Sequence, residues 1–206
     1  NCPKSKTSPL EHNCSGKHAA FLATCKKMNW PLDSYLKGDH PLQIEIFRIV
    51  SELLEIPSSE INAERDDCGA PTLYLKLLEM SRLYSLLSSS ENAELEQISR
   101  AMTTNPIMIS DNNKFDTEVI KASHGQVIGK GGAEGIQCLC KVNEGIGLAL
   151  KVEDGSKRAK HAVALHLLKQ LEWISDLRIQ DIEEKVFNFS EGVRIEVKGQ
   201  LKFQES

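Results

Sequence analysis

The spacing of apolar residues changes once along this chain, and the change falls at Gly125. Before it, apolar side chains recur at helical spacing; after it, they alternate as in strands with one buried face. "GQVIGK", "GIQCLCK" and "IGLALKV" follow one another as strands, the last two joined by "VNEG" as a hairpin. A helix and a final alternating stretch come next. The order helices, sheet, helix, strand fits neither an all-helical bundle nor an all-β sandwich. It predicts an α/β (α+β) fold, with a helical segment, an antiparallel sheet and a packed C-terminal helix. Residues 1–124 form the mainly helical part and 125–206 the sheet with its helix, in one compact domain.

The helical half can be read piece by piece. A helix runs from the Asn13–Ser15 region to about Met28, capped by Asn13 or Ser15. Pro41 opens a second, with its missing N–H at the first helical position, where it costs nothing. Leu42, Ile46, Ile49, Val50 and Leu53 recur along it. "PTLYLKLLEMSRLYSLL" reads as a third helix, with Leu73, Leu77, Met80 and Tyr84 on one stripe. Ser88 to Glu91 forms a stop and a capping box for a fourth, through about Met102. "KFDTEVIKAS" is a short fifth. Beyond the strands, "KRAKHAVALHLLKQLEWI" is amphipathic, and "GVRIEVKGQLKF" alternates like an edge strand.

Composition narrows the function. The 206 residues suffice for one domain or two small ones, and 40% apolar content suffices for a core. A net charge of −4 argues against a nucleic-acid partner, which favours a basic surplus. No apolar run approaches the roughly 20 residues that span a bilayer. Six irregularly spaced cysteines without a C-x2-C pair fit a reducing, cytoplasmic setting better than a disulfide framework. No leader pattern is visible. The chain starts at Asn1 rather than Met, so an upstream segment is expected.

Chemistry concentrates in "HNCSGKH", residues 12–18. His12, Cys14 and His18 are soft or borderline metal ligands. With a helix starting near Ser15, Cys14 lies three residues from Lys17 and four from His18, on one face. Cys68 in "RDDCGAP" could complete a zinc site from a turn. The plainer reading is a capped helix with incidental cysteines. A phosphate loop is excluded, because no glycine stands at the required spacing before Gly16-Lys17. Ser34-x-x-Lys37 matches a serine–lysine pair but sits in a loop, where a chance match is the better reading. "KGGAEG", Lys130 to Gly135, ends one strand and begins the next. It is similar to the lysine–glycine strands of serine β-lactamases. Its plainer reading is a tight turn with a solvated lysine. Asp116 reads as a helix cap.

The stretches "HNCSGKHAAFL", "DHPLQ", "DDCGAPT", "AMTTNP", "KFDT", "KGGAEGIQCLC" and "GIGLALKVEDGSKRA" stand in one order, strongest over residues 10–160. Together they resemble the asparaginase II family, the Rhizobium-type L-asparaginases, over that family's C-terminal two-thirds. The resemblance implies a β-lactamase/glutaminase-like fold and hydrolysis of L-asparagine to L-aspartate and ammonia by a serine–lysine mechanism. It implies zinc held by Cys14, Lys17 and Cys68, with Ser15 starting the helix. It makes Lys130 catalytic and places His18 and Asp66 on the substrate side. By analogy with related folds, the N–H groups of Gly131 and Gly132 would meet the oxyanion. It also implies a homodimer, while the lack of a bilayer-length apolar run argues against a membrane partner. The nucleophilic serines are expected upstream of this chain. Asp67 stands where the family usually has Gly, and Lys114 where it usually has Arg. Two other readings stay open: a catalytically incomplete homologue that binds zinc or an amino acid, and a glutaminase-type amidase.

Overall fold

A computed structural model describes residues 8–187 and 195–202. The chain divides into two compact units, Asn1–Leu75 and Lys76–Ser206. The division falls well before the change of period at Gly125, because the helices that follow Leu75 pack on the sheet that follows Gly125.

The first unit holds helices α1 (Ser15–Met28) and α2 (Pro41–Leu54) and a small antiparallel pair, β1 (Ala63–Arg65) and β2 (Pro71–Leu73). Cys14 holds the N-cap position of α1 without a side-chain hydrogen bond, so neither Asn13 nor Ser15 caps the helix. It ends where Asn29 turns left-handed at φ 57° and returns its N–H to Cys25 and Lys26. The first turn of α2 is as the sequence predicts: Pro41 leads, and His40 caps. The His40 ring accepts the Leu42 N–H at 3.1 Å through Nδ1, and its Nε2 lies 3.0 Å from the Pro31 carbonyl. An accepting Nδ1 leaves the proton on Nε2, so the buried ring donates to Pro31 as a neutral tautomer. Leu42 and Leu54 are buried, whereas Ile49 of the predicted stripe is exposed.

The predicted third helix begins later than its pattern suggests. Pro71–Leu73 is a strand paired with Ala63–Arg65, and the helix, α3, spans Leu77–Ser88. Leu73 is therefore not on its stripe. Three-residue strands are too short to show a period, and cross-strand pairing overrides the local helical signal. Next come α4 (Ala93–Thr104), α5 (Ile107–Ser110) and α6 (Phe115–Ala122). Asn92, not the serine run, caps α4 through its side chain.

The sheet of the second unit is antiparallel, in the order β3 (Val127–Gly131), β4 (Ile136–Lys141), β5 (Ile146–Lys151). Helices α7 (Lys157–Gln170) and α8 (Asp176–Val186) follow, and only the first of these was legible as a pattern. Alternation divides the sheet. Val127 and Leu139 join Phe115, Val119, Leu165, Leu168, Trp173, Ile179 and Ile182 in the core beneath α6, α7 and α8. Each large aliphatic side chain buried there contributes about 1.5–3 kcal/mol. The other face receives α3, seated on Gly147, whose Cα lies against the helix backbone at Ser81 and Ser85. Residues 195–202 carry no strand, so the predicted edge strand is absent there; Val193 and Arg194 lie outside the described residues. Among the described residues, no helix is long and apolar enough to cross a membrane.

Candidate functional site

The β1–β2 loop is organised by Asp66. Its Oδ1 accepts the N–H groups of Cys68 and Ala70, both at 3.0 Å, and the Cys68 thiol at 2.8 Å. Its Oδ2 accepts the Lys17 ammonium at 2.7 Å and the Thr72 hydroxyl at 3.2 Å. Gly69, at φ +80°, makes the turn that aims these N–H groups inward. Partial burial works against the Asp66 charge. Hydrogen bonds from Cys68, Lys17 and the Ala70 N–H outweigh it and hold the carboxyl well below the usual carboxylate range.

Around this carboxylate the structure brings together the residues expected to hold metal. Cys14 precedes α1, Lys17 projects from its first turn, and Cys68 comes from the loop. Burial pushes the Cys14 thiol up, helped by the neighbouring Cys68, while the Lys17 charge opposes the rise. Burial disfavours the Lys17 charge, yet hydrogen bonds to Asp66 and Cys68 raise its pKa on balance.

The donor set fits a thiophilic divalent ion: two thiols, and an amine that ligates once its proton is displaced. Among the described residues no three His, Cys, Asp or Glu side chains form a metal cluster. The sequence-derived triad contains two residues of one of those types, cysteine, with lysine as the third. His12 takes another course, since its Nδ1 accepts the Cys14 N–H at 3.1 Å. His18 lies 2.7 Å from the Tyr35 hydroxyl and meets the Tyr35 ring edge to face. His12, Ser15, His18, Tyr35 and Cys68 share the lining of a cavity of about 490 Å³ with Pro9 and Leu10. Ser34 and Lys37 close a turn before α2, through the Lys37 N–H to the Ser34 carbonyl at 2.9 Å.

In the second unit, Lys130 is exposed near the end of β3 and donates to the Gly131 carbonyl at 2.6 Å. The two N–H groups expected to meet an oxyanion are already engaged. Gly131 N–H donates to Asp116 Oδ2 at 2.8 Å, and Gly132 N–H to the Ile136 carbonyl at 2.9 Å. Asp116 is not a cap: Lys114 precedes the helix, and Asp116 lies buried in its first turn. With Gln137 and Lys160 it forms a buried polar group that sequence reading missed. Gln137 occupies an inward position of β4, two residues from Leu139, where an apolar residue is the default. That break in the pattern was the available signal.

No curated protein matches the chain. The family model for L-asparaginase II matches residues 2–203. That span takes in both the Cys14–Cys68 corner and the Lys130 strand. The chain belongs to the L-asparaginase II family, whose members are asparaginase-type amidohydrolases.

Proposed function

We propose that this protein hydrolyses the side-chain amide of L-asparagine, with Lys130 as the base and with Cys14, Lys17 and Cys68 as a zinc site. The observation that carries the reading is the convergence of the Cys68 thiol and the Lys17 amine on Asp66, with the Cys14 thiol near enough for all three to act on its charge, next to a cavity that His18 also lines. Zinc held by Cys14, Lys17 and Cys68 would supply a fixed positive charge that could orient a substrate carboxylate. His18, steadied by Tyr35, contributes a hydrogen bond from the cavity wall.

The attacking hydroxyl belongs to a serine upstream of the Cys14 motif, as the family resemblance implies. Its Oγ bonds to the amide carbon while its proton passes to the Lys130 amine. The C–N bond then breaks, and the nitrogen leaves as ammonia with that proton. Water hydrolyses the aspartyl ester, releasing L-aspartate and restoring the hydroxyl. Because the Gly131 and Gly132 N–H groups are engaged inside the hairpin, the oxyanion contact is assigned to neither.

Ammonia release from L-asparagine and from L-glutamine tests this reading in protein carrying the upstream segment. Release from L-asparagine, lost on Lys130→Met, is expected. Faster release from L-glutamine would make the protein a glutaminase-type amidase. One equivalent of bound zinc with no release from either amide would make it a binding homologue.

A further inference from the structure

The buried charges behind Lys130 have no role in the proposed chemistry so far. Asp116 in α6 and Lys160 in α7 are 6% and 4% exposed. Lys160 donates to the carbonyls of Gly132 and Ile136 at 3.0 and 2.9 Å. Asp116 accepts the Gly131 N–H through Oδ2 and Gln137 Nε2 through Oδ1, both at 2.8 Å. The backbone on both sides of the β3–β4 turn is thus tied to two helices by side chains of opposite charge. Gln137 Oε1 is buried and accepts no hydrogen bond among the described residues. A Cβ on Gly131 would lie 2.9 Å from Lys160 Nζ, 3.2 Å from Gln137 Oε1 and 3.4 Å from Asp116 Oδ2. The three side chains therefore converge on the bare face of the one residue whose carbonyl holds Lys130.

We infer that Asp116 and Lys160 are positioning residues for Lys130: through the Gly131 N–H and the Gly132 carbonyl they pin the peptide groups on either side of the Gly131 carbonyl that anchors its amine, and they bias that amine with opposite charges. The inference rests on the reading of Lys130 as the base. Electrostatics supports it. Burial lowers the Lys160 pKa, Asp116 opposes that shift, and the charge of Lys130 adds to it, so the two amines sense each other. Asp116 and Lys160 are buried, so their charges are screened less than those of surface groups, although the Lys130 amine is itself exposed.

Lys151 is a built-in reference. It also ends a strand and donates to the next residue's carbonyl, that of Val152 at 2.7 Å. The experiment is trace acetylation of the folded chain at fixed pH, with peptide mapping of Lys130 against Lys151. Lys160→Met should slow labelling of Lys130 relative to Lys151 by about threefold, and Asp116→Asn should speed it by about threefold. Lys160→Arg, which keeps the charge and the donors, should restore the native ratio. A merely structural role would shift both variants in one direction or leave the ratio unchanged, and either result overturns the inference. If Lys160→Met does not fold, the Asp116→Asn and Lys160→Arg arms decide, because speeding by the first and a native ratio in the second are both required. Labelling does not depend on turnover. Opposite shifts without ammonia release would leave the positioning intact and sink the base assignment; release without the shifts would do the reverse.

Discussion

At the scale of single residues, Asp66 accepts five hydrogen bonds in the first unit. One carboxylate fixes the loop N–H groups, the Cys68 thiol and the Lys17 ammonium. The direction of its pH effect follows from its depressed pKa. The folded state holds the Asp66 proton more weakly than the unfolded chain does, so its stabilisation is fully present above the ordinary aspartate value of about 4. It is lost as pH falls below that value towards the folded pKa. Lys17 and Asp66 are partly solvated, so the share is modest, about 1 kcal/mol. Thermal melts from pH 7 to pH 3 should show a loss of midpoint in the native chain that is smaller in Asp66→Asn. The same substitution should weaken zinc binding, because Lys17 and Cys68 would lose their common anchor. Sequence motifs alone brought Asp66, Cys14, Lys17 and Cys68 into consideration. They did not reveal that a lone carboxylate links Lys17 to Cys68, since that depends on a loop folding back on a helix far away in sequence.

Among the elements, the seating of α3 on β5 is the most demanding contact. A Cβ at Gly147 would fall 2.1 Å from the Ser81 carbonyl oxygen and 2.3 Å from the Ser85 nitrogen. Both are backbone atoms in a helix, so relief requires lifting the helix rather than turning a side chain. Gly147→Ala should therefore cost about 3 kcal/mol or more in denaturant unfolding, near the upper range for overpacking. Gly16→Ala is the contrasting case. Nothing lies within 4 Å of the added carbon, and the residue is helical. It should be neutral or stabilise by about 0.5 kcal/mol. The alternation that revealed β4 and β5 did not mark Gly147 as a packing site, because a glycine in a strand has several readings and the helix that decides among them comes from earlier in the chain.

At the scale of the molecule, the proposed zinc ligands all fall within the unit Asn1–Leu75, and the Lys130 strand within Lys76–Ser206. Ligand binding stabilises the structure that holds the ligand. Zinc should slow amide hydrogen exchange in the β1–β2 hairpin and the first turn of α1, and a chelator should reverse the change. Equal protection of β3–β5 would place the metal elsewhere. Local spacing by itself determined the mixed class, the β3, β4 and β5 strands, the start of α2, the bodies of α1, α6 and α7, and the family. Each is written in neighbouring residues through period, cap or contiguous motif. Only the tertiary structure decided that Pro71–Leu73 is a strand, that the Gly131 and Gly132 N–H groups are engaged, and that Asp116, Gln137 and Lys160 share one buried polar cluster. Those outcomes depend on which distant groups supply a hydrogen-bond partner once water is excluded. No local pattern carries that information.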